Sequence, residues 1–230
     1  MSEKKAYAEN EKQWVYRILI LIAGFYGGYA MLMRGGAFSN AQTGNVVLCA
    51  IALGNGQWRK AAYYLIPMSA YMLGCLVSEL HISSKRSGRK MRWETVLILF
   101  ELLAVAVMGW IPASAPHQIC QILINLICAM RLSTFRQSEG IPMATIFCTN
   151  HIRQVGASLA HLFRKGTNRK EKLYMIRMHG FMILSFMVGV AAATIGCKFM
   201  GVKSIWLMLL PLAVLFVELL KADRKEKTIL

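Results

Sequence analysis

The chain lacks the short motifs that usually mark enzyme chemistry. It has no phosphate loop, no His-Glu-x-x-His pair and no nucleophile elbow, which weighs against an enzyme. Its six cysteines are dispersed as Cys49, Cys75, Cys120, Cys128, Cys148 and Cys197. None belongs to a Cys-x-x-Cys pair, so neither a metal centre nor a disulfide framework is indicated, and no cofactor is expected. Each reads as a small buried hydrophobe. Acidic residues are scarce, 11 against 27 Lys and Arg, for a formal net charge of +16. That excess would suit nucleic acid, but no soluble basic stretch is large enough to grip a duplex. Nucleic acid is therefore not an expected partner.

What is present is apolar. Of the 230 residues, 56% are hydrophobic, and the mean hydropathy is +0.45. Crossing a hydrocarbon core of roughly 30 Å takes about 20 apolar residues. Segments Trp14–Met33, Ala61–Leu80, Trp93–Ile111, Gln118–Phe135, Tyr174–Cys197 and Ser204–Leu220 read as spans. The first is full length and has no Ala-x-Ala cleavage site, so it reads as a retained helix rather than a signal peptide. Trp14, Trp58, Trp93, Trp110 and Trp206 sit at segment ends, as an interfacial belt requires. The lipid bilayer is the expected surrounding. Gly24 with Gly28, and Ala192 with Gly196, form small-xxx-small pairs suited to close helix contact.

Two further segments are ambiguous. Segment 41–54 is short, and segment 142–163 carries His151, Arg153, Gln154 and His161. If both crossed the membrane, the basic loop 82–92 would fall outside, against the charge rule. If both dip in and return, the N-terminus, 82–92, 136–172 and the C-terminus fall inside, and 34–60, 112–117 and 198–203 fall outside. Every large basic cluster is then cytoplasmic: Lys85, Arg86, Arg89, Lys90 and Arg92; Arg164, Lys165, Arg169, Lys170 and Lys172; and Lys221, Arg224, Lys225 and Lys227. Arg34, Arg59, Lys60, Lys198 and Lys203 remain as exceptions.

The two ambiguous segments are copies. Thr43-Gly44-Asn45 aligns with Thr149-Asn150-His151, and the run from Tyr64 to Met72 aligns with that from Tyr174 to Met182 after four extra loop residues. Trp93 and Trp206 open the last helix of each half. Each half is then span, re-entrant segment, span, span. An odd number of spans per half gives the two halves opposite orientation. Non-helical backbone at membrane depth is tolerated only where protein or a water-filled cavity satisfies it. A half-helix starting near Thr43, capped by Ser39, Asn40 or Thr43, turns its positive end toward the midplane. Two such ends from opposite faces would make a centre for an anion, water or a polar solute. Alternatively, the polar residues only cap each other.

Other polar residues stand within spans. Glu101 lies mid-span, where a charge costs roughly 2.5–3.5 kcal/mol on insertion scales, and is a coupling or gating candidate. Its structural alternative is a partner such as Asn125 or Arg131 on the next helix. His179 is a second coupling candidate, able to titrate near neutral pH. Arg153, beside the second triplet, is a third. With His151 it makes that half more cationic, which favours an anionic or proton-coupled ligand over a metal cation.

At Phe38–Leu53, with Thr43-Gly44-Asn45 ahead of an apolar run and Gly54, the chain resembles the YoaK family of bacterial integral membrane proteins. The resemblance extends over nearly the whole chain. It implies a six-helix, single-domain protein of the bacterial inner membrane, and it assigns no activity. The chain departs from that family's pattern at Gly27, at Gln42 where a hydrophobic residue is usual, at Thr149-Asn150 where Thr-Gly is usual, and at Ala129-Met130-Arg131-Leu132.

The expected fold is an all-α integral membrane protein: six transmembrane helices plus two re-entrant or broken segments, as an inverted pseudo-symmetric repeat. Residues 1–13 and 221–230 are expected to be cytoplasmic tails around one transmembrane domain, 14–220, with repeats at about 14–111 and about 117–220. The expected function is a transporter or channel for a small, unidentified, anion-like solute. Thr43, Gly44, Asn45, Thr149, Asn150 and His151 would bind it. A non-transporting scaffold or sensor is the alternative. A homo-oligomer is compatible with the sequence, which does not set the oligomeric state.

Overall fold

A computed structural model describes residues 8–83, 91–164, 166 and 168–229. Lys85, Arg86, Arg89, Lys90 and Lys165, which carried part of the charge reading, lie outside the described residues. The protein is all-α. Its helices are α1 (Gln13–Met33), α2 (Gln42–Gly54), α3 (Trp58–Ser83), α4 (Trp93–Met108), α5 (His117–Thr134), α6 (Thr149–Leu162), α7 (Arg169–Met200) and α8 (Leu209–Ile229). A two-residue hairpin, β1 (Gln137–Ser138) with β2 (Ile141–Pro142), separates α5 from α6.

Local chemistry sets the boundaries. Gly35 and Gly36, both with positive φ, turn the chain out of α1, and the Gly36 amide bonds back to the Ala30 carbonyl. Gly201, at φ +56°, breaks α7 from the 3-10 turns of Gly201–Met208 that lead into α8. By length and composition, three helical stretches among the described residues can cross a membrane: Gln13–Met33, Trp58–His81 and Arg169–Lys225. The last runs through both α7 and α8.

Helix α7 starts at Arg169 rather than Tyr174, and α8 starts at Leu209 rather than Ser204. Two larger differences separate the fold from the sequence reading. Helix α6 begins only at Thr149, and the hairpin and an irregular stretch occupy the residues before it. Helix α8 continues past the expected end at Leu220 to Ile229, and its buried Asp223 accepts a bond from the Arg92 amide.

Helix α1 packs on α7, α3 on α5, α2 on α3, α6 on α7 and α4 on α8. The α1–α7 contact depends on absent side chains. Gly24 faces the Phe186 backbone, Gly28 faces Ala193, and Gly189 faces the Leu21 carbonyl, so a Cβ at any of them would collide. The shared core includes Leu19, Ile22, Phe25, Ile98, Val105, Ile124, Ile127, Met182, Leu212 and Leu215. The exterior is also apolar: Met72, Leu76, Leu184, Met187, Val188 and Leu210 are exposed. Such a surface fits a hydrocarbon solvent rather than water.

The helix ends gather at two faces. At one, the Glu139 amide and Ser138 hydroxyl donate to the Glu11 carbonyl, Gln13 and Tyr174 bond Glu139, and Asn10 bonds Glu94. The starts of α1, α4 and α7 and the end of α5 are therefore together. At the other, Arg34 donates to the Tyr29 hydroxyl and to the Ile111 and Pro112 carbonyls. Gln121 reaches the Arg34 carbonyl and Tyr63. Tyr29 donates to the Val202 carbonyl. Arg34, an exception to the charge rule, is fully buried, where it joins the ends of α1 and α4.

Candidate functional site

The first broken segment is held by its own amide. Asn45 donates to the Phe38 carbonyl at 2.7 Å and accepts from the Phe38 amide at 2.9 Å. This two-way clamp folds the backbone onto the start of α2. The Phe38 ring lies against Gly44, where a Cβ would overlap it. Asn45 is fully buried, whereas Thr43 is exposed. None of the expected caps acts as one. The N-cap position is Ala41, without a side-chain bond. Asn40 instead donates to the Ala23 carbonyl of α1 at 3.2 Å, and Ser39 is buried without a partner among the described residues.

The second segment repeats the device in other chemistry. His151 Nε2 lies 2.8 Å from the Ala144 carbonyl, seven residues earlier, the same separation as Asn45 from Phe38. His151 Nδ1 lies 2.9 Å from Nδ1 of His179 on α7. Both rings are fully buried. Thr149 is exposed, and Asn150 accepts from Arg153 at 3.1 Å on the open side of α6. Cys148, at the N-cap, supplies no side-chain bond. Each triplet thus divides into an exposed threonine at an uncapped helix start and a buried third residue bound to its own backbone. No hydrogen bond joins the two triplets among the described residues.

Glu101 is structurally paired. Its carboxylate accepts from the Tyr26 hydroxyl at 2.8 Å and from Arg131 at 3.1 Å. Arg131 also donates to the Leu19 carbonyl and lies 3.5 Å from the Thr145 carbonyl. One guanidinium therefore connects α1, α4, α5 and the stretch that precedes α6. Arg131 fills the partner role considered for it in the sequence reading. Asn125, the other residue considered, belongs elsewhere.

Asn125 accepts from Gln42 at 2.5 Å and donates to the Gln121 carbonyl at 2.7 Å. Gln42 in turn accepts from Asn45. These amides run from the Arg34 face down to the first clamp. Sequence reasoning passed over Gln121 and noted Gln42 only as a departure. The available signal was Gln121 and Asn125, four residues apart on one face of a largely apolar helix. Gln42 is polar here because its helix meets that face.

An open groove of about 270 Å³ leads from the hairpin side to Asn150, between Leu132, Arg136, Pro142, Met143 and Phe147. Among the described residues, no three His, Cys, Asp or Glu side chains are grouped to hold a metal ion.

An all-α chain with an apolar exterior, helices of membrane-crossing length and two half-length helices opening from irregular backbone is consistent with an integral membrane protein. The chain belongs to the DUF1275 family, described as a protein of unknown function, whose model matches residues 15–217. The YoaK-like proteins are this family, so the resemblance carried by Thr43-Gly44-Asn45 holds at that level. No curated protein and no solved structure matches the chain.

Proposed function

We propose that the protein is a six-span inner-membrane transporter or channel for a small solute, with anions favoured and both termini cytoplasmic. The observation that carries this reading is the pair of exposed threonines, Thr43 and Thr149, at the uncapped starts of α2 and α6. At each start the first amide N–H groups lie outside the helical ladder, although the Gly44 amide bonds the Ala41 carbonyl, and a positive dipole end turns toward the solute.

The gathering of helix ends at two faces supports six crossings, with α2 and α6 returning to the face they leave. The packing pairs support a repeat. Exchanging α1–α4 for α5–α8 converts α1–α7 into α5–α3 and α2–α3 into α6–α7, and leaves α4–α8 unchanged. In this reading Thr43, Gly44, Thr149 and Asn150 meet the solute. Asn45 and His151 shape the backbone that presents it. Arg153 adds positive charge on the open side of α6, and Glu101, with His179, is a coupling group.

The test is a thermal-shift series of purified protein against inorganic anions and small carboxylates, followed by flux of any stabilising ion in proteoliposomes. A ligand of the native state raises stability as RT ln(1 + [L]/Kd). Ion flux that falls in T43A and T149A, with unchanged unfolding temperature, supports transport. Absence of flux for every stabilising ion counts against it. The scaffold reading is favoured by one observation: Asn45 and His151 each bond the backbone that precedes their own helix, and their remaining polar atoms bond Gln42 and His179.

A further inference from the structure

Asn45 and His151 perform the same mechanical task with different chemistry. Asn45 clamps its segment with an amide, whose charge no ordinary pH alters. His151 uses an imidazole and bonds a second imidazole on α7. The proton positions follow from the acceptors. The Ala144 carbonyl can only accept, so His151 carries hydrogen at Nε2 and presents a lone pair at Nδ1. His179 must then donate from Nδ1, which leaves its Nε2 unprotonated. That nitrogen is buried and has no hydrogen-bond partner among the described residues.

We propose that the His151–His179 pair is a proton-binding site, and that proton uptake there loosens α6 from α7. As a coupling step it rests on the transport reading above. As a proton site it stands on the geometry of the pair. One proton from hydronium adds to the lone pair of His179 Nε2, an N–H bond forming as an O–H bond of hydronium breaks and water leaves; no bond within the pair changes, and the pair gains one positive charge. No acidic side chain bonds either ring among the described residues.

The cations on the surrounding elements are Arg153 on α6, Arg177 on α7, Arg17 on α1 (4.8 Å from the Phe181 ring) and Arg131 on α5, which is paired with Glu101 and reaches the residue after Ala144. Of the acids, Glu171 lies in the first turn of α7 beside Lys172. Glu139 on the hairpin is bonded to Gln13 and Tyr174. A charge added without an acceptor or counter-ion is relieved by hydration, which requires the contact between α6 and α7 to open. A second proton would place hydrogens on both Nδ1 atoms and abolish the bond between the rings. The first half of the protein, clamped by Asn45, has no such response.

Hydrogen exchange read by mass spectrometry tests this on the full chain in lipid nanodiscs, at about pH 8 and about pH 3.5, the acidic point set well below the usual imidazole range because burial opposes an added charge. After correction for intrinsic rates, residues 144–158 should lose protection about five- to tenfold at the acidic pH, the equivalent of one net hydrogen bond. Residues 38–50 should not change. H179Q, which removes the proton acceptor, should remain protected at both pH values. H179N should also be insensitive, and decides the matter if H179Q does not fold. Equal protection at both pH values in the wild type overturns the proposal, as does an unchanged pH response in H179Q or H179N. No solute is present, so a flat response leaves the transport reading to its flux test. Lack of flux with an intact pH response removes transport and leaves the proton site.

Discussion

Glu101 on α4 and Arg131 on α5 form an ion pair at 3.1 Å with neither side chain exposed. Burying both charges is costly, and either one alone is worse. E101A or R131A should each lower stability by about 3–5 kcal/mol, because the remaining charge is left unpaired. The double substitution E101L/R131M should recover most of that loss. Chemical unfolding in detergent checks both. A double variant as unstable as the singles would mean that the pair contributes more than mutual neutralisation.

Asn45 makes two bonds to one backbone unit, so its loss leaves the Phe38 carbonyl and amide without partners. N45A should destabilise the protein by about 1–3 kcal/mol. T43A, two residues earlier and exposed, should lie within about 0.5 kcal/mol of wild type. Thermal unfolding of the two variants side by side separates clamp from surface.

Glycines divide by what faces them. G24L forces a side chain into the Phe186 backbone and should prevent α1 from packing on α7. Gly156 on α6 has open space around it, and G156A should stabilise by up to about 1 kcal/mol through helix propensity alone. Yield and unfolding temperature read both effects.

The six-span arrangement places the hairpin and the loop at 112–116 on opposite sides. Gly140 and Ser114 are both exposed. A tag inserted after Gly140 should be reached only from the cytoplasm, and one after Ser114 only from outside. Both tags on one side would contradict the arrangement.

Much of the helical framework was legible because it depends on local composition. Apolar length placed α1 from residue 14, where the helix starts at Gln13, and the short run after Thr43 became the 13-residue α2. Small-residue spacing at Gly24 and Gly28 marked a face for close helix contact, without naming α7 as its partner. The site was less legible because its bonds are long-range. Gln42 and Asn125 are 83 residues apart, and Arg131 and Leu19 are 112 apart. A single sequence does not pair such positions, so Arg34 looked like a misplaced surface charge and Asn40 like a cap. The triplets were found by alignment, but alignment could not separate the exposed threonine from the buried residue two places on. That division depends on which face of each half-helix meets α3 or α7.

The central claim is that Thr43 and Thr149 open to solute from opposite sides. In a variant whose six native cysteines are replaced by alanine, T43C and T149C can be challenged with a membrane-impermeant thiol reagent from either side. Labelling of T43C from outside and T149C from the cytoplasm is the predicted result. Absence of labelling at both positions from both sides would contradict it and leave the two segments as sealed structural caps.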